Sequence, residues 1–359
     1  MLNTFEGFED LELGTVLPLV GLILGVVFGV LAQRSRFCLR SAVIESGGGR
    51  GLAPMAGVYA AAVAAAVLGT LALTASGWVS LDDTRFFSDT LPLGALVLGG
   101  LMFGAGMVLT RGCASRLTVL SAQGNLRAVL VVLVFGMVAY AALRGVLAAP
   151  RMAFTEATGV EVVGQGSLPA LLGLPGWLVA AAVAALALVV VALARPRPLP
   201  LAAGALIGLV VVGGWFASGA LLFDEFDPQA ADSLAFTAGV SDGVFWLMAS
   251  TALEPSFAAG LVGGVLLGAF VAAAASRELR LESFEGPRQT LRYLAGGALM
   301  GVGGVMAGGC TIGAGLTGTS TLALGPFVAL AGIVVGAKAT QRLLDRDPAA
   351  ERVVMVPAE

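Results

Sequence analysis

Cys38, Cys113 and Cys310 are the residues of this chain whose chemistry is easiest to define, because histidine is absent. Without it the chain lacks the commonest general base and the commonest metal ligand together. Three is an odd number and no C-x-x-C occurs, so neither a disulfide framework nor a dithiol redox couple is spelled out. The cysteines therefore read as free thiols, with no metal, cofactor or catalytic residue assigned. A neutral thiol is a weak S–H donor with a reference pKa of about 8.5, and its sulfur suits a soft ligand; a thiolate would repel an anion.

Each cysteine ends the same short pattern. Gly25 and Gly29 precede Cys38, Gly100 and Gly104 precede Cys113, and Gly297 and Gly301 precede Cys310, with the cysteine always nine residues after the second glycine. A further copy, third in chain order, is Gly204 and Gly208, with Ala217 in the corresponding place. Between the second and fourth copies the match runs without gaps at an offset of 197 residues, through Gly112–Cys113 and Gly309–Cys310. GxxxG alone signals only close helix packing. Repetition with a fixed distance to a cysteine points to a structural unit used four times.

The elements that must position these units are membrane spans. The chain is 58% hydrophobic and 12% charged, with a mean hydropathy of +0.94, against about 25% charged residues in soluble domains. Apolar runs near 15–33, 52–78, 92–110, 128–148, 169–194, 200–222, 257–276, 293–309 and 322–341 match the length of about 20 residues needed to cross a bilayer. They predict an all-α polytopic protein of about nine spans, forming one membrane domain over 1–359. Its parts are a first repeat half at 15–148, a linking helix at 169–194 and a second half at 200–341. The halves start on opposite faces, so the repeat is inverted, an arrangement used by transporters. No cleavable presequence is expected, because the N-terminus is acidic.

If the connections alternate sides, three of the 20 basic residues, Arg85, Arg144 and Arg151, share the side of the N-terminus, and the other 17 lie opposite. The positive-inside bias then sets the N-terminus outside and the C-terminus in the cytoplasm. The net charge of −3, without a basic patch, excludes nucleic acid as a partner class.

The segments RGCASRLTVLSAQGN at 111–125 and GGCTIGAGLTGTSTLALG at 308–325 are too polar for lipid and too apolar for exposed loops. They are expected to dip into the bilayer as re-entrant loops, buried by protein or lining a polar path. Free glycine N–H groups at the positive ends of short helices would stabilise an anion there. The hydroxyls of Ser115, Thr118, Ser121, Thr311, Thr317, Thr319 and Ser320 add candidate donors. Arg111 and Arg116 flank Cys113; Arg116 and Arg127 also read as cytoplasmic anchors, whereas Arg111 adjoins the Gly-Cys pair. The substrate-binding set is therefore Cys38, Arg111, Gly112, Cys113, Gly309, Cys310 and Thr311. The acidic run FDEFDPQAADS at 223–233 would steer anions away from the outer face, and no membrane carboxylate identifies a coupling site.

At RSRFCLRSAV, RGCASR and GGCTIGAG the chain resembles the YeeE/YedE family of bacterial sulfur-transport membrane proteins, over nearly its whole length. The resemblance implies uptake of thiosulfate across the bacterial inner membrane, through loops meeting at a waist where Cys38, Cys113 and Cys310 contact the ion. Some similar proteins are associated with selenium, so the substrate could be another sulfur or selenium species. The C-terminal run DRDPAAERVVMVPAE reads as a tail, so no fused sulfurtransferase domain is expected and a TusA-like sulfurtransferase acceptor would be a separate cytoplasmic partner. The alternatives are a membrane thiol oxidoreductase, which needs two cysteines close together, and a channel or membrane anchor for a soluble sulfurtransferase.

Overall fold

The computed structural model describes residues 13–46, 51–222, 230–284 and 286–346. The acidic N-terminus, most of the 223–233 run and the tail after Arg346 lie outside the described residues. The fold is all-α, apart from one antiparallel pair, β1 (Thr90–Pro92) with β2 (Gly159–Glu161).

One sequence of elements recurs four times, in the order long helix, short helical segment or π-turn, long helix, with a sharp turn after the first helix in three of the four copies. In the first, α1 (Leu13–Ser35) is followed by α2 (Leu39–Ile44) and α3 (Pro54–Ala75). In the second, α4 (Leu93–Leu109) leads to α5 (Ala114–Ala122) and α6 (Leu126–Arg144). After α7 (Ala148–Ala157), α8 (Leu168–Leu172) and α9 (Gly176–Ala194), the third copy comprises α10 (Pro198–Phe216), a π-turn at Ala217–Leu221, α11 (Phe236–Ala249) and α12 (Phe257–Ala275). The fourth is α13 (Pro287–Met306), a π-turn at Gly313–Gly318 and α14 (Leu324–Asp345).

Among the described residues, eight helices are long and apolar enough to cross a membrane. The predicted span at 293–309 corresponds to α13, twenty residues long, which does not meet that criterion; it carries Arg288 and Arg292 in its first turns. Local chemistry explains the other shifted boundaries. Proline opens α3, α10 and α13, where its missing N–H is harmless. The predicted 169–194 span is cut by Gly173 in a left-handed conformation and by Pro175, leaving α8 separate from α9.

Glycine governs how the helices pack. A Cβ on Gly25 or Gly29 would strike the backbone of α12, and one on Gly264 or Gly268 would strike that of α1. Gly100 and Gly104 meet α14 in the same way, and Gly336 answers from α14 against Leu101. The pairings are reciprocal: α1 packs on α12 and α3 on α10, while α4 packs on α14 and α6 on α13. First helix meets last in both pairs of copies, the pattern a two-fold relation produces. The contacts also fix direction. Gly297 and Gly301 meet Val131 and Phe135 in ascending order, so α13 runs parallel to α6; Gly99 and Gly106 meet Gly303 and Gly296 in descending order, so it runs antiparallel to α4.

The interior holds Phe28, Phe103, Phe135, Trp215 and Phe236, all fully buried. The outer surface is also apolar: Leu186, Leu188 and Leu193 on α9 are 68%, 56% and 66% exposed. A protein surrounded by water rarely presents such a face, and lipid accounts for it.

Candidate functional site

All three cysteines lie in the interior, where the short segments of the repeats meet. Cys113 and Cys310 are fully buried, Cys38 is 4% exposed, and all are free thiols. The sulfurs of Cys38 and Cys113 are 3.8 Å apart. Cys113 also lies 3.4 Å from the Ser115 hydroxyl. The Thr311 side chain, next to Cys310, faces Cys113, yet its buried Oγ1 forms no hydrogen bond. Cys310 accepts from the Gly313 N–H at 3.4 Å.

One backbone feature precedes every cysteine. Two residues before it the chain enters the left-handed region, with φ of 53° at Arg36, 59° at Arg111 and 68° at Gly308. That conformation costs a non-glycine residue about 1–2 kcal/mol. It turns the chain out of the long helix so that the cysteine becomes the N-cap of the segment that follows: Cys38 opens α2 and Cys113 opens α5, both extended. Before Cys310 the turn is wider, because Gly309 also has a positive φ of 155°. A Cβ there would come within 2.6 Å of the Ala314 amide nitrogen. The third copy lacks this turn; Ala217 lies buried in a π-turn, and Leu234 and Ala235 approach the centre instead, with Leu234 O accepting from the Thr317 hydroxyl at 2.8 Å.

The remaining predicted donors divide sharply. Gly112 N–H bonds Met107 O and Gly309 N–H bonds Gly304 O, so these amides close the ends of α4 and α13 and are not free for an anion. Thr118, Ser121, Thr317, Thr319 and Ser320 all donate to backbone carbonyls. Of the seven hydroxyls, those of Ser115 and Thr311 face the thiols. The amides of Ser41 and Arg116 turn toward the sulfurs of Cys38 and Cys113 without closing a cap hydrogen bond. Arg111, two residues before Cys113, is half-buried.

Tyr59 escaped the sequence reading. Its hydroxyl donates to Thr311 O at 2.7 Å, and its ring stacks on Phe37, tying α3 to the segments of both Cys38 and Cys310. An isolated tyrosine within an alanine-rich helix carries no signal of this. A cavity of about 530 Å³, lined by Thr70, Thr74, Ser80, Asp82, Ser320 and Thr321, opens beside the far end of the Cys310 segment. The segments at 111–125 and 308–325 are not plain loops, since a helix or π-turn starts within a few residues of each cysteine.

Comparison with known proteins gives a consistent result. A family model described as sulphur transport matches residues 34–339. The chain is 29% identical over 335 residues to the thiosulfate transporter TsuA of Spirochaeta thermophila, covering 88% of this chain and 96% of that protein. It is 28% identical over 346 residues to the thiosulfate transporter TsuA of Escherichia coli, covering 89% and 92%. The matched region includes all three cysteines, and the chain belongs to the sulphur-transport (YeeE/YedE) family.

Proposed function

We propose that this chain carries thiosulfate, or a closely related small sulfur- or selenium-containing anion, into the cytoplasm across the bacterial plasma membrane. The observation that carries the reading is the convergence of the thiols: Cys38 and Cys113 in contact at 3.8 Å, with Thr311 of the Cys310 segment facing the same sulfur. The terminal sulfur of thiosulfate is a soft acceptor, and neutral thiols are weak donors that can hold it briefly and pass it on. Weak binding at several adjacent sites is what permeation requires. In this reading Cys38, Cys113, Cys310 and Thr311 contact the ion, Arg111 offsets its charge, and Gly112 and Gly309 shape the turns that aim the thiols. The thiols are sealed from solvent, so passage requires the short segments to part. The names of the similar transporters support the choice of ion.

In our reading the two halves form an inverted repeat, supported by the reciprocal helix pairing, with the N-terminus outside and the C-terminus in the cytoplasm. A dianion moving inward against 100 mV is opposed by about 4.6 kcal/mol. Uptake therefore needs a coupled cation or rapid consumption inside, for example by a TusA-like sulfurtransferase. Liposomes containing only the purified chain test the proposal: thiosulfate influx when the inside is made positive supports it, and no flux at any imposed potential refutes it. The Cys38–Cys113 contact also has the geometry that a membrane thiol oxidoreductase would use. That reading predicts thiol–disulfide exchange by the same preparation without thiosulfate flux.

A further inference from the structure

Three arginines near the thiols hold nitrogens that are buried and without a hydrogen-bond partner: Nε of Arg40, Nη1 of Arg116 and Nε of Arg292. They come from three copies of the repeat. Arg40 stands two residues after Cys38 on α2, and Arg116 three residues after Cys113 on α5. Because the two cysteines touch, both arginines lie within a helical turn of one point. Arg292 is on α13, one turn before Gly296, whose face meets Thr110 at the end of α4. It lies within electrostatic reach of Arg40 and Arg111, while Arg116 is within reach of Arg36, Cys38 and Cys113.

Among the described residues, no carboxylate forms an ion pair with any of these three arginines. The α12–α13 connection has two described carboxylates. Glu278 accepts from Gln33 Nε2 at 2.7 Å and acts on Arg116 only through space. Glu282 is held by Arg127 and Asn125. Arginines that serve only as positive-inside anchors extend along the helix to place the whole guanidinium in water; here one nitrogen of each is shut away from it. Arg116 also occupies the first turn of α5, where the helix dipole disfavours a cation, and no acidic residue offsets it there. Buried donors left unbonded are costly, and an oxyanion would relieve all of these terms together, since the guanidinium fork matches paired oxygens.

We propose that Arg40, Arg116 and Arg292 form a second site, for a small tetrahedral oxodianion, beside the Cys38–Cys113 pair and distinct from the thiols. Its place in a transport path rests on the function proposed above; its affinity for a dianion does not. The thiols take the soft terminal sulfur, and the arginines take the hard sulfonate-like oxygens as the ion leaves. A lipid phosphate presents the same oxygens, so the test must separate the two sources.

Radiolabelled thiosulfate binding to the full chain is measured in nanodiscs of phosphatidylcholine alone and of phosphatidylcholine with phosphatidylglycerol. Arg40→Gln, Arg116→Gln and Arg292→Gln are compared with their lysine counterparts, which retain the charge and serve where a glutamine variant fails to fold. The expected result is a loss of about tenfold or more in affinity in the neutral discs for each glutamine variant, with partial recovery by lysine and with unlabelled sulfate competing in the wild type. Wild-type affinity in the variants, or an effect confined to discs containing phosphatidylglycerol, overturns the site. A chain with all three cysteines changed to alanine separates the two ideas. If it still binds dianion through the arginines, this site stands apart from the thiols; if the arginine variants bind normally while the thiol-free chain does not, this site falls and the thiol reading stands.

Discussion

The sulfurs of Cys38 and Cys113 are 3.8 Å apart, although 75 residues separate them in the chain. Each follows a left-handed turn of the same kind and caps a short helix. Two copies of one unit therefore place equivalent atoms side by side.

That contact is testable without transport. Since a disulfide needs a sulfur separation of about 2.05 Å, a small shift suffices to join the two. A mild thiol oxidant such as diamide, itself reduced as the thiols lose two protons and two electrons, should link Cys38 to Cys113 within one chain. Peptide mapping under non-reducing conditions should find that bridge, with thiosulfate uptake blocked until a reductant is added. A map in which Cys310 pairs and Cys113 stays free would contradict the arrangement.

The turn before each cysteine separates shape from charge. Arg111 has a φ of 59°, which glycine adopts without penalty. Arg111→Gly should leave the melting temperature unchanged or higher while lowering thiosulfate uptake. Gly309→Ala should do the opposite to the fold, because its φ of 155° and the 2.6 Å approach to the Ala314 nitrogen leave no room for a Cβ. Thermal unfolding in detergent should fall by an amount equivalent to more than about 1 kcal/mol.

Tyr59 should matter well beyond its size. Tyr59→Phe removes the donor to Thr311 O and leaves a buried carbonyl unbonded, at a cost of about 1–3 kcal/mol. Uptake should drop while the chain still reaches the membrane. Gly315→Ala, whose Cβ would collide with the Tyr59 hydroxyl, should reproduce that loss; full activity in both variants would remove Tyr59 from the account.

The glycine seams should tolerate no bulk. Gly104→Leu and Gly264→Leu force apart α4 from α14 and α1 from α12, where main chain meets main chain. Overpacking of this kind costs about 1–3 kcal/mol or more. Folded yield after size-exclusion chromatography should fall sharply, whereas Gly263→Leu, with open space around it, should behave as wild type.

What the sequence could express followed what each signal measures. Hydropathy averages over about 20 residues, so it found the long helices and missed α2, α5 and α11, which are six, nine and fourteen residues long. The Gly-x-x-x-Gly spacing carried the repeat because close helix contact demands glycine at fixed positions. The residues before the cysteines hid their common turn, since Arg36 and Arg111 adopt a conformation usually assigned to glycine. Donor assignments were the least legible part. Nothing in the residue types at Gly112, Gly309, Thr317 or Thr319 reveals that their N–H and O–H groups are already bonded to nearby carbonyls.

The central claim is that the three thiols contact the moving ion. Radiolabelled thiosulfate uptake should be compared in cells that depend on this chain, carrying wild type, Cys38→Ala, Cys113→Ala or Cys310→Ala at matched membrane levels. The account predicts a severe loss in each variant, greatest for Cys113→Ala, whose sulfur faces Cys38, Ser115 and Thr311 together. Uptake at the wild-type rate in all three would contradict it.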